Sequence, residues 1–566
     1  MKKFLVVLLF AAASALAFGQ NSKLSPDLQK STASNVQVVV QYNNAPGLLD
    51  LNLLSTLGSI LDQIPLINAV VADLPLSSAL SLSNQSNVKY VSLDRPLAPT
   101  LSNAAPAVNA EAAWQSGYTG TGIGVALIDS GVSPHPDLNG LLGLSRVVWN
   151  QSFVPGNSSA ADQFGHGTHV AGLIAGNGAS STGAQYTRTF KGIAPNANIV
   201  NLRVLDQNGS GTDSAVIKAI NTAIELKLLF NIRVINLSLG RAVYETYTLD
   251  PLCQAVEKAW KNGIVVVVAA GNNGRYQPTS GYATITSPGN DPYVITVGAM
   301  KPMGTPTRVD DLIASYSSKG PTVIDAIAKP DIVAPGNLLV SLEAPNSTLY
   351  NEAPGNRIPD NFYVEGGSTA SSSSYFTLSG TSMATGVVSG IVADLLQRSP
   401  GLTPDQMKAR LMKTAWKSLP AYSSVTDPAT GITYNDQYDV FTVGAGYVDV
   451  EAAMANTDLA QGTAMSPVAT YDANNGYVYL TDNSTAVWNT TSAWSNTVVY
   501  GQQQFQVGAP VSALSGNALW GSNDAVWGSN VLWGSNVLWG SNVLWGSNVL
   551  WGSNVLWGSN VTGGEQ

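Results

Sequence analysis

Residues 264–272 read IVVVVAAGN, and they decide the fold class. The run Ile264–Val268 shows no alternation of apolar and polar residues, as expected for a strand that is buried on both faces of a parallel sheet. Further apolar strands are predicted on either side of it in the sequence, and segments with helical apolar spacing separate them. This order predicts an α/β domain in which helices cover both faces of a mostly parallel sheet.

The predicted domain covers residues 103–455. Its strands are predicted at Gly124–Ile128, Asn198–Val204, Val234–Leu239, Ile264–Ala269 and Val294–Val297. Its helices are predicted at His166–Gly176, Ser214–Leu226, Pro251–Asn262, Ser382–Arg398 and Thr403–Thr414.

The composition excludes several classes of protein. Of 566 residues, 45% are hydrophobic and 11% are charged, which allows a sizeable core and argues against disorder throughout the chain. Acidic residues outnumber basic ones by 36 to 27, and no basic run reaches five residues, so a nucleic-acid partner is not expected. A single cysteine, Cys253, excludes an intrachain disulfide and a cysteine-based zinc site.

The N-terminal region is predicted to contain a signal and a small domain. Residues 1–17 have two lysines, an apolar run and the small-residue ending Ala15–Ala17, which is typical of a cleaved secretory signal and too short for a membrane anchor. This signal predicts a secreted or cell-surface protein. Residues 21–100 are predicted to form a small α+β domain, and Arg95–Pro106, rich in proline and alanine, is predicted to be an exposed linker.

The C-terminal region consists of a polar extension at residues 456–515 and a repeat at residues 520–560. Most repeat units read Trp-Gly-Ser-Asn-Val-Leu, and the tail holds seven of the 13 tryptophans. Each unit can be grouped as a Val-Leu-Trp strand and a Gly-Ser-Asn turn. One interpretation is a low-complexity tail produced by repeat expansion. The other is a module for attachment to the cell surface, because a row of exposed tryptophans is an apolar patch.

Four reactive residues are predicted at the carboxyl ends of the strands, where open α/β sheets bind ligands. Asp129 directly follows the strand that ends at Ile128, Asn272 stands at the end of another strand, and His166 and Ser382 each open a helix. A serine hydroxyl needs a nearby base, which His166 could provide, and a carboxylate at Asp129 could orient the imidazole. The N-terminus of the Ser382 helix and the Asn272 amide could stabilise an oxyanion.

These motifs resemble those of the subtilisin-like serine proteases, or subtilases. The resemblance rests on the segments Asp129–Gly131, Gly165–His169, Ser238–Gly240, Ala270–Asn272, Lys329–Gly336 and Gly380–Ala384. It implies a serine endopeptidase that acts on proteins or peptides and requires no cofactor. Asp129, His166 and Ser382 would be its triad and Asn272 its oxyanion donor. By the same resemblance, residues 21–100 would be an inhibitory propeptide. The sequence departs from the family at Gly386, where a proline is usual.

The resemblance also predicts substrate and calcium contacts. The segments Ser238-Leu239-Gly240 and Ala270-Gly271 resemble backbone walls that pair with an extended substrate strand. Asp137 resembles a calcium ligand of some subtilases, although no companion loop is recognisable in residues 177–190 and calcium needs six to eight oxygen ligands. No metal ligand set is predicted, and calcium is kept open as an additional possibility.

Two other functions compete with this hypothesis. The chain could be a surface adhesin or scaffold in which the repeat carries the function and the protease-like domain is incidental. It could also be another serine hydrolase such as an esterase. That class would have a Gly-x-Ser-x-Gly turn and a serine before the acid and the histidine, whereas here Ser382 comes last and Ala384 holds the last position of the motif.

Overall fold

A computed structural model describes residues 23–25, 28–29, 31–65, 68–93, 101–140, 142–427, 431–472, 477–481, 485–488, 499–500 and 556–558. The chain divides into two compact units, Met1–Ala98 and Pro99–Gln566. The predicted signal at residues 1–17 and most of the repeat lie outside the described residues. Within the described part, no helix is long and apolar enough to cross a membrane.

The N-terminal unit is a small α+β structure. Its elements are β1 (Asn35–Tyr42), α1 (Leu48–Leu57), β2 (Ser59–Ile64), β3 (Ala69–Pro75), α2 (Leu76–Ser81) and β4 (Val88–Leu93). The strands form an antiparallel sheet in the order β2-β3-β1-β4. In β1 every second residue from Val36 to Tyr42 is buried, because alternate side chains of a strand point to opposite faces and one face covers the core.

The second unit contains the predicted α/β domain. Its strands are β5 (Gly124–Asp129), β6 (Val147–Ser152), β7 (Asn198–Arg203), β8 (Ser210–Gly211), β9 (Ile232–Leu237), β10 (Leu239–Gly240), β11 (Val265–Ala269), β12 (Ile295–Lys301), β13 (Leu312–Ile313), β14 (Ile332–Pro335), β15 (Leu339–Leu342), β16 (Arg357–Pro359), β17 (Ser371–Leu378), β18 (Tyr422–Thr426), β19 (Thr433–Gln437), β20 (Val468–Asp472), β21 (Tyr477–Thr481) and β22 (Leu556–Gly558). Its helices are α3 (Leu101–Ala107), α4 (Ala110–Gln115), α5 (His166–Ala175), α6 (Asp213–Glu225), α7 (Lys227–Phe230), α8 (Pro251–Lys261), α9 (Thr348–Glu352), α10 (Thr381–Arg398), α11 (Pro404–Thr414), α12 (Val440–Val443) and α13 (Val450–Ala455).

The central sheet has the strand order β13-β12-β11-β9-β5-β7-β6, and β14 also pairs with β12. The pairs are parallel except for β12 with β13, so the predicted fold class is confirmed. All five residues of β11 are buried, as its unbroken apolar sequence requires. Burial of each valine side chain contributes about 2 kcal/mol relative to exposure. Helix α10 packs against β9, β11 and β12, and residues 381–396 are buried.

Two predicted boundaries differ from the structure. The second half of the predicted linker is helix α3, in which Ala104 and Ala107 are buried, because alanine favours a helix and its small side chain packs closely. Residue 455 is also too early as an end of the domain. Ala469 and Trp488, from the predicted polar extension, are buried in the same core cluster as the central sheet.

Candidate active site

Asp129 and His166 form a buried pair at the carboxyl end of the central sheet. Asp129 is the last residue of β5, and His166 is the first residue of α5. The His166 Nδ1 and Asp129 Oδ1 atoms are 2.8 Å apart, and both residues are 0% exposed. The other imidazole nitrogen, Nε2, is buried and has no hydrogen-bond partner among the described residues. The carboxylate therefore fixes the ring orientation and leaves Nε2 for a proton transfer.

Gly167 explains how the helix approaches the strand so closely. A Cβ atom at this position would lie 2.2 Å from the Gly131 carbonyl oxygen and 3.2 Å from the Asp129 Cβ. Any larger residue would push α5 away from the end of β5 and lengthen the contact between His166 and Asp129. The glycine of this motif is thus a packing requirement of the pair.

Asp162 is a buried carboxylate at the start of α5. Its Oδ1 accepts hydrogen bonds from the Ser130 hydroxyl at 2.8 Å and the Gly165 N–H at 2.6 Å, and its Oδ2 accepts one from the Thr168 N–H at 2.8 Å. These bonds satisfy N–H groups that have no partner within the helix. Burial raises the pKa of Asp162, although the hydrogen bonds from Gly165, Thr168 and Ser130 oppose that shift.

The pKa of His166 reflects both carboxylates. Burial lowers it, but the negative charge of Asp129, the hydrogen bond to Asp129 and the charge of Asp162 together raise the pKa above its ordinary value. The sequence alone does not assign a role to Asp162, because a carboxylate four residues before His166 can line the site or face solvent. Its burial is what places it in the site.

Ser382 lies in the first turn of α10, at the positive end of the helix dipole. Its hydroxyl donates to the Ser238 carbonyl oxygen at 3.1 Å, and the Ser238 hydroxyl donates to the Ser382 carbonyl oxygen at 2.9 Å. This reciprocal pair joins the helix to the segment just before β10. The Asn236 amide, in turn, donates to the Ser238 hydroxyl at 2.9 Å.

Asn272 is held next to the same helix. Its Oδ1 accepts hydrogen bonds from the Thr381 N–H at 3.0 Å and from the Thr381 hydroxyl at 3.1 Å. Because the amide oxygen is fixed in this way, the orientation of the Nδ2 donor is fixed as well. Gly271, with a φ of +108°, makes the turn that brings Asn272 from β11 to the start of α10.

Two short strands, β10 and β8, are the outer strands of a small three-stranded sheet, and Ser238 just before β10 contacts Ser382. The region between β10 and β8 is called the cleft here. The two strands are joined by Arg241, whose guanidinium contacts Asp213 at 2.9 Å and Asp250 at 2.8 Å. Asp213 opens the helix that follows β8, and Arg241 directly follows β10. The ion pair therefore fixes the distance between the two edges.

This arrangement corrects one prediction about the substrate walls. The segment Ser238-Leu239-Gly240 supplies an edge strand, but Ala270 and Gly271 do not. The Ala270 N–H donates to the Val297 carbonyl at 3.0 Å, and its carbonyl accepts from the Thr286 N–H at 3.1 Å. Gly271 likewise uses both backbone groups within the fold, its N–H donating to the Thr381 hydroxyl and its carbonyl accepting from the Ser318 N–H. The other outer strand of the small sheet that contains β10 is Ser210–Gly211, a two-residue strand without any sequence signal of its own.

The remaining histidine of α5, His169, has a structural role. Its Nε2 contacts the carbonyl oxygens of Leu339 at 3.0 Å and Phe376 at 3.1 Å, which ties α5 to β15 and β17. Burial lowers the pKa of His169 to about 3, so the imidazole stays neutral.

The surroundings of Asp137 do not fit a calcium site. Its carboxylate accepts a hydrogen bond from the Tyr375 hydroxyl at 2.7 Å. The Arg146 guanidinium donates to the backbone carbonyls of Asp137, Ala175 and Ala197, at 2.8, 2.6 and 2.7 Å. These carbonyls are therefore already bonded to a fixed cation, whereas calcium needs six to eight oxygen ligands. No cluster of three or more potential metal-ligating side chains occurs among the residues described.

Residues 120–492 match the Subtilase family. The chain belongs to this family. Serine protease AprX of Bacillus subtilis is 40% identical over 357 residues, which are 61% of this chain and 73% of AprX. Subtilisin DY of Bacillus licheniformis is 33% identical over 63% of this chain and 99% of its own length, and subtilisin E of Bacillus subtilis is 35% identical over 63% and 78%. This subtilase is a serine-type endopeptidase, which excludes an esterase as a description of the domain.

Proposed function

We propose that the enzyme hydrolyses peptide bonds with Ser382 as nucleophile, His166 as general base and Asp129 as the group that orients His166. The observation that carries this proposal is the buried contact of 2.8 Å between Asp129 and His166, with the His166 Nε2 left unpartnered among the described residues. A neutral imidazole in this position is a proton acceptor, and the adjacent carboxylate stabilises the imidazolium that forms.

The reaction then follows from the site. The Ser382 hydroxyl turns from the Ser238 carbonyl to His166, transfers its proton to Nε2 and attacks the carbonyl carbon of the scissile bond. His166 returns the proton to the leaving amine as the C–N bond breaks, which leaves an acyl group on Ser382. A water molecule, deprotonated by His166, hydrolyses this ester and restores the serine.

The oxyanion of each tetrahedral intermediate would be stabilised by two donors. One is the Ser382 backbone N–H in the first turn of α10, and the other is the Asn272 side-chain amide. Both are fixed before the reaction, so no reorganisation is needed as the negative charge develops. Substrates would be proteins or peptides that lie in the cleft as an extended strand, with no cofactor required.

Labelling with a fluorophosphonate probe tests the nucleophile. We expect the active enzyme to be labelled on Ser382, as located by mass spectrometry of the digested protein, and to hydrolyse casein. Prior labelling should abolish the hydrolysis. The variant Ser399→Ala, at the other end of α10, serves as the matched control and should be labelled normally. Labelling at a different serine would refute the assignment of Ser382.

We expect Asp162→Asn to shift the acidic limb of the pH–activity profile to lower pH. The charge of Asp162 helps to raise the pKa of His166, so its removal lowers that pKa. Because His166 must be neutral to act as a base, activity is lost as the pH falls through this pKa, and a lower pKa preserves activity in more acidic solution. The measurement is kcat/KM for a small peptide as a function of pH.

The control for this prediction is Asp458→Asn, which removes an exposed carboxylate paired with Lys413 far from His166 in the chain. It should leave the profile unchanged. If Asp162→Asn folds normally and its acidic limb does not move, Asp162 only caps the helix.

The enzyme is proposed to be secreted as a self-inhibited precursor. The support is the compact α+β unit that lies between the predicted signal and the subtilase domain, together with the proline-rich sequence that follows this unit. Secretion rests on the predicted signal at residues 1–17, and attachment to the cell surface through the repeat stays a prediction from the sequence.

We expect the wild-type protein to lose its N-terminal unit by self-cleavage, whereas Ser382→Ala keeps it. The sequence predicts the cut within Arg95–Ala105, and the helix from Leu101 narrows it to residues 95–100, because a protease needs an extended segment. Intact-mass measurement of both proteins, expressed and purified in parallel, decides the matter. Equal processing of the two would show that another protease makes the cut.

A further inference from the structure

A segment of the repeat lies between the two edges of the cleft. Strand β22, Leu556–Gly558, pairs antiparallel with β10 on one side and with β8 on the other. Trp557 faces Gly240 of β10 and Ser210 of β8 at once. The result is a three-stranded sheet in the order β10-β22-β8, in which the tail is the central strand.

On the β8 side, only one of the two residues is available for pairing with β22. The Ser210 N–H donates to the Asp206 carboxylate at 3.0 Å, and the Ser210 carbonyl accepts from the Asp206 N–H at 2.8 Å. These bonds hold the turn and use the backbone groups of Ser210 internally. In an antiparallel ladder the bonded pairs alternate along the strand, so pairing on this side falls to Gly211, which faces Leu556.

The direction of β22 leads toward the nucleophile. Trp557 faces Gly240, and Gly558 faces Leu239. The next residue back along the edge is Ser238, whose carbonyl accepts the Ser382 hydroxyl at 3.1 Å. A peptide that follows this register therefore runs toward Ser382 and brings the residue after its glycine opposite Ser238. In every repeat unit of the sequence, that residue is a serine.

We propose that the Leu-Trp-Gly segments of the repeat are ligands of the enzyme's own cleft and compete there with substrate. This inference rests on the proposed function, since it takes the cleft beside Ser382 as the substrate site. The occupant binds through its backbone as a third strand, the way an extended substrate would. The tail therefore acts as an intramolecular competitive inhibitor.

The sequence provides the binding segment several times. Leu-Trp-Gly occurs at residues 519–521, 532–534, 538–540, 544–546, 550–552 and 556–558. More than fifty residues lie between Tyr500 and Leu556, and an extended chain of that length could span roughly 150 Å or more. A tethered ligand reaches an effective concentration of about 1 mM when its linker can span the distance, so even a weak segment would compete well.

The test compares three forms of the enzyme after removal of the N-terminal unit. They are the full-length chain, a chain that ends at Asn517, and a chain of full length in which the tryptophan of all six Leu-Trp-Gly segments is replaced by proline. Proline lacks the N–H that a central strand needs, so this variant preserves tail length and removes strand pairing. The readout is kcat and KM for a small chromogenic peptide.

We expect the full-length enzyme to show an apparent KM at least tenfold higher than the other two forms, with kcat unchanged. The synthetic peptide Val-Leu-Trp-Gly-Ser-Asn should inhibit the truncated enzyme competitively, and a peptide of the same composition in scrambled order should not. Equal KM values for all three forms would overturn the proposal. An apparent KM that rises with enzyme concentration would also overturn the proposal, because the tail of one molecule would then bind the cleft of another.

The truncated form also separates this proposal from the proposed function. If it hydrolyses the peptide and labels at Ser382 but its KM equals that of the full-length enzyme, the tail proposal fails and the catalytic assignment stands. If it neither hydrolyses the peptide nor labels at Ser382 although it is folded, the catalytic assignment fails, and the tail proposal fails with it.

Discussion

Replacement of Ser382 by alanine is expected to lower peptide turnover by several orders of magnitude, the size known for triad residues of subtilisin, a member of the same family. The substitution removes the only atom that would form the acyl intermediate. It also removes the hydrogen bond from the Ser382 hydroxyl to the Ser238 carbonyl. The reverse bond, from the Ser238 hydroxyl to the Ser382 carbonyl, is a backbone contact at position 382 and remains.

The measurement is single-turnover and steady-state hydrolysis of a small peptide, with the N-terminal unit removed by an added protease so that processing does not limit the comparison. Circular dichroism and thermal unfolding should show a fold like that of the wild type. Ser399→Ala is again the control and should retain full turnover. Activity within tenfold of the wild type in a folded Ser382→Ala protein would rule out Ser382 as the nucleophile.

The central sheet was predictable because its residues obey a single local rule. Strand β11 is apolar at every position and lies between two other parallel strands, so burial on both faces can be read directly from the sequence. Strand β5 is likewise buried at every position. The helices that begin at or next to His166 and Ser382 were also predictable, and their predicted starts lie within one residue of the observed ones.

Other elements could not be predicted because no local pattern marks them. Strand β17 contains the serine run 371–374, and serine has little preference for strands, so no local pattern marks a strand there. Its strand form depends on pairing with β15 and β16. In the hairpin of β20 and β21, Ala469 and Val478 are buried, although the sequence around them is rich in asparagine, threonine and serine.

Within the candidate site, the sequence identified the residues with distinctive chemistry and one backbone edge, Ser238–Gly240, but not the edge at Ser210–Gly211. Asp129, His166, Asn272 and Ser382 stand at predicted ends of strands and helices, and the structure brings them to one edge of the sheet. The Ser210–Gly211 edge has two small residues in a turn, and its role depends on which backbone groups the turn leaves unpaired. Which backbone groups are already hydrogen-bonded can be determined only from the coordinates.

Asn272→Leu is expected to lower kcat about 10²–10³-fold with little change in KM, the size known from removing one oxyanion donor in subtilisin, a member of the same family. Leucine has the same number and branching of side-chain heavy atoms as asparagine but no hydrogen-bond donor. The substrate carbonyl in the ground state needs this hydrogen bond little, whereas the oxyanion in the transition state needs it strongly. The loss should therefore appear in kcat.

The neighbouring residue supplies the matched control for Asn272. Asn273→Leu makes the same chemical change one position along the chain, where the backbone N–H rather than the side chain contacts the Ser318 hydroxyl at 3.0 Å. It should alter kcat by less than about threefold, since no transition-state donor is lost. The Asn272 substitution also removes the acceptor for Thr381, so thermal unfolding of both variants must accompany the kinetics. If Asn272→Leu raises KM and leaves kcat unchanged, the amide binds the substrate in its ground state and is not an oxyanion donor.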